Sequence, residues 1–414
     1  MDTAPGVRHR TGIQEAPPAV PRVAVVCDLL EERWPSMDLV AEMLMQSLAE
    51  MVPQPVTAVR LCPSMRRRFT RIRRNGSPAS NGNGYERRLL LNLDRGLNRF
   101  WDYPRLLREK RRDFDVFHVV DHAYGQLVHH LPAERTVVTC HDLHTFQCLL
   151  HPGRAPRSAA FRMMTGYVLR GLSRAARVVF DTSAVRDEAV ALGLVDRERT
   201  SVAHLGVHPA YSVRADANAD GAAAALLGPV RAEAPEILHV GGTFGRKRID
   251  LLLRIFAEVK KEVQGARLVR VGGSFTAEQG KLVEELGIGN SIIVLPFLER
   301  EVLAAVYRRA ALTVLPSEEE GFGLPVIEAM TCGTPVVASD LPVLREVGGE
   351  AAVYIPTGDV VRWAEAIVQS LMQQTSDPEA WEARRNLSAG QAAKFTWMEY
   401  ARRMVTVYRE VASL

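Results

Sequence analysis

Two glutamates with seven residues between them, Glu320 and Glu328, stand in the stretch 317–340, SEEEGFGLPVIEAMTCGTPVVASD. A carboxylate is a double acceptor for vicinal hydroxyls, so such a pair suits two sugar rings, a ribose and a hexose. Gly321 and Gly323 let the main chain approach a ligand closely. A helix that starts with Pro325 in its first turn would aim free amides at the phosphates between the rings. The same letters also fit a solvated acidic turn at Glu318, Glu319 and Glu320, with Glu328 resting near a helix N-terminus. A second constellation lies at 239–248, HVGGTFGRKR, where Gly242 permits a tight turn and Arg246 and Lys247 follow it. A bidentate guanidinium and an ammonium point charge are the usual partners of phosphate oxygens, although a basic surface turn would read alike. A third is the polar ending of the apolar run 136–140, at His141 and Asp142, matched by Asp121 and His122 after the run 116–120.

These groups are placed by a repeated alternation. Strands are expected at 22–29, 56–61, 116–120, 136–140, 178–181 and 201–204, with helical spacing at Met37, Val40, Ala41, Leu44, Met45 and Leu48 and over 159–176 and 183–194. Residues 214–235, rich in Ala, Asp and Gly, read as a linker with a weak helix. A second alternating series has strands at 237–240, 268–271, 292–295, 312–315 and 336–338, and an amphipathic helix closes the chain at 397–411. Such alternation predicts α/β structure, two doubly wound parallel sheets with ligands at the carboxyl ends of their strands.

The string E-G-F-G-L-P-V-I-E at 320–328, followed by G-T-P-V-V-A-S at 333–339, resembles the signature of the retaining glycosyltransferases of family 4. That family has the GT-B fold, two Rossmann-like domains facing a cleft, with the C-terminal helix crossing back onto the first domain. The resemblance implies a nucleotide-sugar site lined by Gly321, Phe322, Gly323 and Leu324. It implies Arg246 and Lys247 on the donor phosphates with Gly242 allowing the approach, Glu320 on sugar hydroxyls and Glu328 on the ribose diol. It also places His141 beside the transferred sugar and main-chain atoms of Phe297 and Leu298 on the base. A front-face mechanism without a cofactor or metal is implied, the departing phosphate helping to deprotonate the acceptor.

Three departures fall on this pattern. Relatives carry glycine near 298–299, where this chain has Leu298 and Glu299, and P-N-G-V where it has His204, Leu205, Gly206 and Val207. The Gly-Gly turn usual after the first strand is replaced by EERWPSMD at 31–38. There Trp34 either stacks on a sugar or staples the helix start. Trp34, Asp121, His122 and Asp142 are therefore the acceptor-side candidates.

At 414 residues the chain suits two domains. The expected division is a flexible extension 1–20, an acceptor-side domain 21–213, a linker 214–235, a donor domain 236–395 and a helix 396–414 that packs on the first domain. With 47% hydrophobic and 24% charged residues it has the composition of a soluble globular protein, and no window approaches a membrane span. Five cysteines without C-x-x-C spacing indicate neither a disulfide framework nor a zinc site. A cytoplasmic location is expected. Charge is concentrated at Arg66, Arg67, Arg68, Arg71, Arg73 and Arg74, before a polar loop at 75–84, and again at Arg105, Arg108, Lys110, Arg111 and Arg112. That run reads as a solvated face, as a contact with anionic lipid on the inner face of a membrane, or as a site for a phosphorylated glycan acceptor. No nucleic-acid module accompanies it. The expected activity is hexosyl transfer from a nucleotide diphosphate sugar to a glycan or lipid-linked acceptor. A GT-B nucleotide-sugar epimerase and a non-catalytic nucleotide-sugar or polyanion binder are the alternatives.

Overall fold

The computed structural model describes residues 20–32, 34–72 and 84–413. The expected extension 1–20 and the loop 75–84 lie almost wholly outside these, as do Arg73 and Arg74. Two six-stranded sheets, parallel throughout, carry the chain. The first is built from β1 (Arg22–Val26), β2 (Thr57–Leu61), β3 (Val116–Val119), β4 (Thr136–Cys140), β5 (Arg177–Phe180) and β6 (Thr200–Val202), in the order β2-β1-β3-β4-β5-β6. The second holds β7 (Glu236–Val240), β8 (Arg267–Val271), β9 (Ile292–Leu295), β10 (Leu312–Leu315), β11 (Val336–Ser339) and β12 (Val353–Ile355), in the order β12-β11-β10-β7-β8-β9.

Helices cover both faces of each sheet, so the central strands are near-continuous apolar runs; every residue of β3, β4, β10 and β11 is buried. The order reverses between β1 and β3 and between β7 and β10. At such a switch point the loops leaving two neighbouring strands diverge to opposite faces and open a crevice at their carboxyl ends. Pairing of Thr313 with Leu238 in the β7–β10 ladder therefore brings the turn at 241–247 beside the loop at 316–323.

Most boundaries fall within a few residues of expectation. The strand 22–29 stops at Val26, and β12, three half-buried residues at the sheet edge, was not anticipated. The segment 214–235 contains the helix Ala217–Leu227, capped by Asp216 at its N-terminus and stopped by Gly228 at φ 76°. It docks on the second domain, where Arg308 pairs with Asp220 at 2.6 Å. The five cysteines are free thiols, and no described helix is long and apolar enough to cross a membrane.

The helix Trp397–Ala412 leaves the second domain and lies against the first, on the helix Pro35–Glu50 and on β3 and β4. His118 of β3 bridges it to the sheet, with Nδ1 2.7 Å from the Tyr408 hydroxyl and Nε2 2.7 Å from Thr139 Oγ1. Burial lowers the pKa of His118 to about 3, so the bridge is made by a neutral ring. The crossing explains why Gly206 is kept in the altered H-L-G-V turn. A Cβ there would sit 2.2 Å from the Trp397 backbone nitrogen.

A second tie joins the domains. Glu346, on the helix Pro342–Gly348, accepts hydrogen bonds from Ser183 N at 2.8 Å and Ala184 N at 3.0 Å, at the start of the helix Ser183–Ala191. It also meets His204 Nε2 at 2.7 Å. A carboxylate on free amides at a helix N-terminus is a favourable charge placement. Hydrogen bonds to a charged group contribute about 1.5–3 kcal/mol each when well made. Glu346→Ala is therefore expected to loosen the two domains. Small-angle scattering should give a larger radius of gyration than the wild type, and an unchanged curve would show that this tie does not hold them.

Candidate active site

The turn after β7 is short because Gly241 and Gly242 occupy it, and Arg270 of β8 props it from below by donating to the Gly241 carbonyl at 3.1 Å. The chain then makes the 3-10 turn Gly245–Lys247 before the helix Ile249–Glu262. Glu318 N donates to the Arg246 carbonyl at 2.7 Å, which ties this turn to the loop after β10. Seventy-three residues apart in sequence, Lys247 Nζ and Glu320 Oε1 stand 2.6 Å apart. Arg246 Nη1 reaches Glu320 Oε2 at 3.4 Å and the Glu319 carbonyl at 3.1 Å.

The Glu320 side chain is only 5% exposed. Burial raises its pKa, but the charges of Lys247 and Arg246 outweigh that and hold the carboxyl below its ordinary value. The three residues make a compact triad with two cations against one anion, leaving an excess positive charge beside the Gly242 turn. An incoming phosphate oxygen suits that excess.

Gly323 begins the helix Leu324–Thr331 in the left-handed region, at φ 93°. One turn in, Glu328 is buried, and the Tyr307 hydroxyl donates to its Oε2 at 2.9 Å. Burial raises its pKa to about 7, opposed by hydrogen bonds from Tyr307 and Tyr211 and by the charge of Arg300. The two glutamates thus differ sharply: Glu320 is a fixed anion, and Glu328 titrates near neutrality.

Across the cleft, His141 ends β4. Its Nδ1 lies 2.7 Å from Asp181 Oδ2 and its Nε2 2.8 Å from the Val120 carbonyl. A carbonyl and a carboxylate both accept, so both ring nitrogens donate and the ring is an imidazolium. Burial works against that charge, but Asp181 outweighs it and pushes the pKa up to about 9. Each expected polar group at this edge has a partner. Asp121 accepts from Ala123 N at 2.8 Å, His122 meets Thr145 Oγ1 at 3.0 Å, and Asp142 accepts from His144 N at 2.9 Å. Burial raises the Asp142 pKa, but hydrogen bonding to His122, the His122 charge and the charge of Arg246 keep it well below the usual carboxylate range.

The two edges meet at Gly321. A Cβ there would lie 2.1 Å from the His141 carbonyl oxygen, so only glycine lets the donor loop close on the β4 loop. Glu319 continues the contact, 3.1 Å from His144 Nδ1 and 3.2 Å from Gln147 Nε2.

Other expected residues fall differently. Phe322 is buried against Phe395 of its own domain and His204 of the other, ring centroids 5.7 and 6.5 Å away. Phe297 is 73% exposed after β9, while Leu298 packs against the core. Trp34 is the N-cap of the helix Pro35–Glu50, makes no side-chain capping bond and is 48% exposed.

Sequence reasoning missed Asp181, Tyr307 and the Glu319–His144 contact. Asp181 carried a signal, a carboxylate directly after the apolar run of β5, next to the strand that ends in His141. Tyr307, inside a helix, carried none.

Residues 229–389 match the family model for glycosyl transferases group 1, and residues 49–211 that for glycosyltransferase family 4. The D-inositol 3-phosphate glycosyltransferase of Kineococcus radiotolerans is 32% identical over 327 residues, 73% of each chain. The enzyme of the same name from Mycolicibacterium smegmatis is 32% identical over 251 residues, 58% of this chain. That match spans about half of the relative's own length, 54%. Among solved structures, Anabaena HepE in complex with UDP and glucose gives a TM-score of 0.66 at 15% identity, covering 95% of this chain and 100% of that one. At that identity the likeness concerns the fold, two Rossmann-like domains in the GT-B arrangement.

Proposed function

The chain belongs to the group 1, family 4 glycosyltransferases, and from that premise we propose that it moves a hexose from a nucleotide diphosphate sugar to a glycan or lipid-linked acceptor with retention of configuration. The observation that carries this is the Arg246–Lys247–Glu320 triad at the β7–β10 switch point, facing His141 across the closed Gly321 contact.

In this reading the diphosphate lies over the Gly242 turn with its charge met by Arg246 and Lys247, and no resident metal is called for. Glu320 meets the hexose hydroxyls and Glu328 the ribose diol. The bond between the anomeric carbon and the phosphate oxygen breaks, the acceptor oxygen bonds to the same face, and the acceptor proton passes to the departing phosphate. Negative charge grows on the leaving group, so cations fixed beforehand lower the barrier without reorganising. The acceptor enters past Asp121, His122, Asp142 and Trp34.

The test is a thermal-shift panel of UDP, GDP, ADP and their common sugars, with product analysis of the best donor. One nucleotide family should stabilise the protein and Glu328→Ala should abolish the shift; a panel without any shift would overturn the donor site. Product analysis separates transfer from epimerisation of the donor.

The pKa of Glu328 adds a sign. Ribose binding wants the carboxylate, so nucleotide-induced stabilisation should grow from about pH 6 to about pH 8 and be flat in Glu328→Gln. The free protein should move oppositely. Its folded-state pKa of about 7 lies above the ordinary 4.5, so the contribution is full below 4.5 and is lost as pH rises through 7.

A further inference from the structure

The region 84–110 forms one unbroken helical rod, Gly84–Leu97, a π-turn at Asn98–Asp102 and Tyr103–Lys110, about 40 Å long. Tyr103 and Leu107 of its last segment enter the first domain's core, but over 88–102 its polarity is inverted. The side toward the protein is polar: Asp94 accepts from Arg68 N, Phe69 N and Thr70 N at 2.8, 3.0 and 3.0 Å. One turn on, Asn98 exchanges hydrogen bonds with the Arg66 backbone at 2.7 and 2.9 Å. One turn further, Asp102 takes a bidentate pair from Arg68 at 2.6 and 2.8 Å. Arg95 points at Glu32 from 3.3 Å.

The side toward solvent is apolar. Leu89, Leu93, Leu97 and Trp101 recur every fourth residue and are 50, 46, 39 and 62% exposed. A surface helix of a soluble protein does the reverse, and a contiguous apolar stripe of this length marks an interaction face.

Charge says what the face meets. Arg88 precedes the stripe, Arg105 follows Trp101 by one more turn, and Arg67, Arg108, Arg111 and Arg112 are exposed nearby. Among the described side chains two acidic groups stand among them, Glu109 paired with Arg105 and Asp113 with Lys110, and the cations outnumber them. An apolar stripe bracketed by arginines suits the interface of an anionic bilayer, acyl chains under the leucines and phosphates against the guanidiniums.

We propose that the rod 84–110 docks this protein flat on an anionic lipid surface through Leu89, Leu93, Leu97 and Trp101. The docking itself is independent of catalysis; only its consequence, an acceptor presented at a membrane, rests on the function proposed above. Within the run 66–74, Arg68 is held by Asp102 and is not one of the contacting cations.

The experiment is co-sedimentation of the full chain with vesicles of phosphatidylcholine alone and of phosphatidylcholine with phosphatidylglycerol. Binding is expected to the anionic vesicles, to weaken in high salt, and to fall at least tenfold in Leu93→Glu/Trp101→Glu and severalfold in Arg88→Ser/Arg105→Ser. Circular dichroism and the nucleotide thermal shift should stay as in the wild type, since none of these residues lies at the donor site. Equal binding to both vesicles, or binding indifferent to both pairs of changes, overturns the proposal. So does a wild-type dimer, seen by light scattering, that Leu93→Glu/Trp101→Glu converts to a monomer. Loss of the nucleotide shift with vesicle binding intact would count against the donor site alone.

Discussion

Lys247→Ala is expected to lower kcat/KM by about 100-fold, roughly 2.7 kcal/mol of transition-state stabilisation, the usual effect of removing one preorganised donor from a developing anion. The Nζ group is 2.6 Å from Glu320 and nearly buried, so its position is set before a donor arrives. Arg246 remains in the variant, but at 3.4 Å it holds Glu320 less closely. The loss should appear mainly in kcat, because charge on the leaving phosphate is greater in the transition state than in the bound donor. Part of the effect passes through Glu320, whose buried carboxylate loses its nearer cation. A double-mutant cycle with Glu320→Gln measures that part as a coupling energy. Steady-state kinetics within twofold of the wild type would remove Lys247 from the phosphate.

The residues of the Arg246–Lys247–Glu320 triad were legible because they sit in short motifs that resemble the family's, although each motif alone also fits a surface turn. The glycines after β7, the basic pair behind them and the Pro-led helix after β10 each restrict the backbone within a few residues. Strand alternation predicts parallel sheets, but that β7 and β10 are the neighbours that join these motifs is seen only in the structure. What stayed hidden depends on contacts far apart in sequence. Tyr307 reaches Glu328 from another helix, and Glu346 caps a helix of the opposite domain. The rod 84–110 was concealed for a different reason. Hydrophobic periodicity locates the core side of a helix, and here the polar line of Asp94, Asn98 and Asp102 faces inward, so the region showed only as a concentration of charge. At β12, three residues are too few to show any period.

Gly321→Ala is the sharper test of how the two domains work together. The Cβ position is fixed by the backbone, so no rotamer can relieve its approach to the His141 carbonyl oxygen at 2.1 Å and Asp142 Cβ at 3.0 Å. One loop must retreat from the other by about an ångström, a displacement that can cost about 100-fold in turnover when it separates reacting groups. The folds of the two domains are untouched, and Glu328 lies within the second domain. Nucleotide affinity should therefore change less than threefold, while kcat falls about 100-fold. Gly280→Ala, where an added Cβ meets nothing within 4 Å, serves as the control and should leave both constants alone. If Gly321→Ala retains full turnover, the closed contact between the donor loop and the β4 loop is not the productive one, and transfer proceeds with the domains further apart.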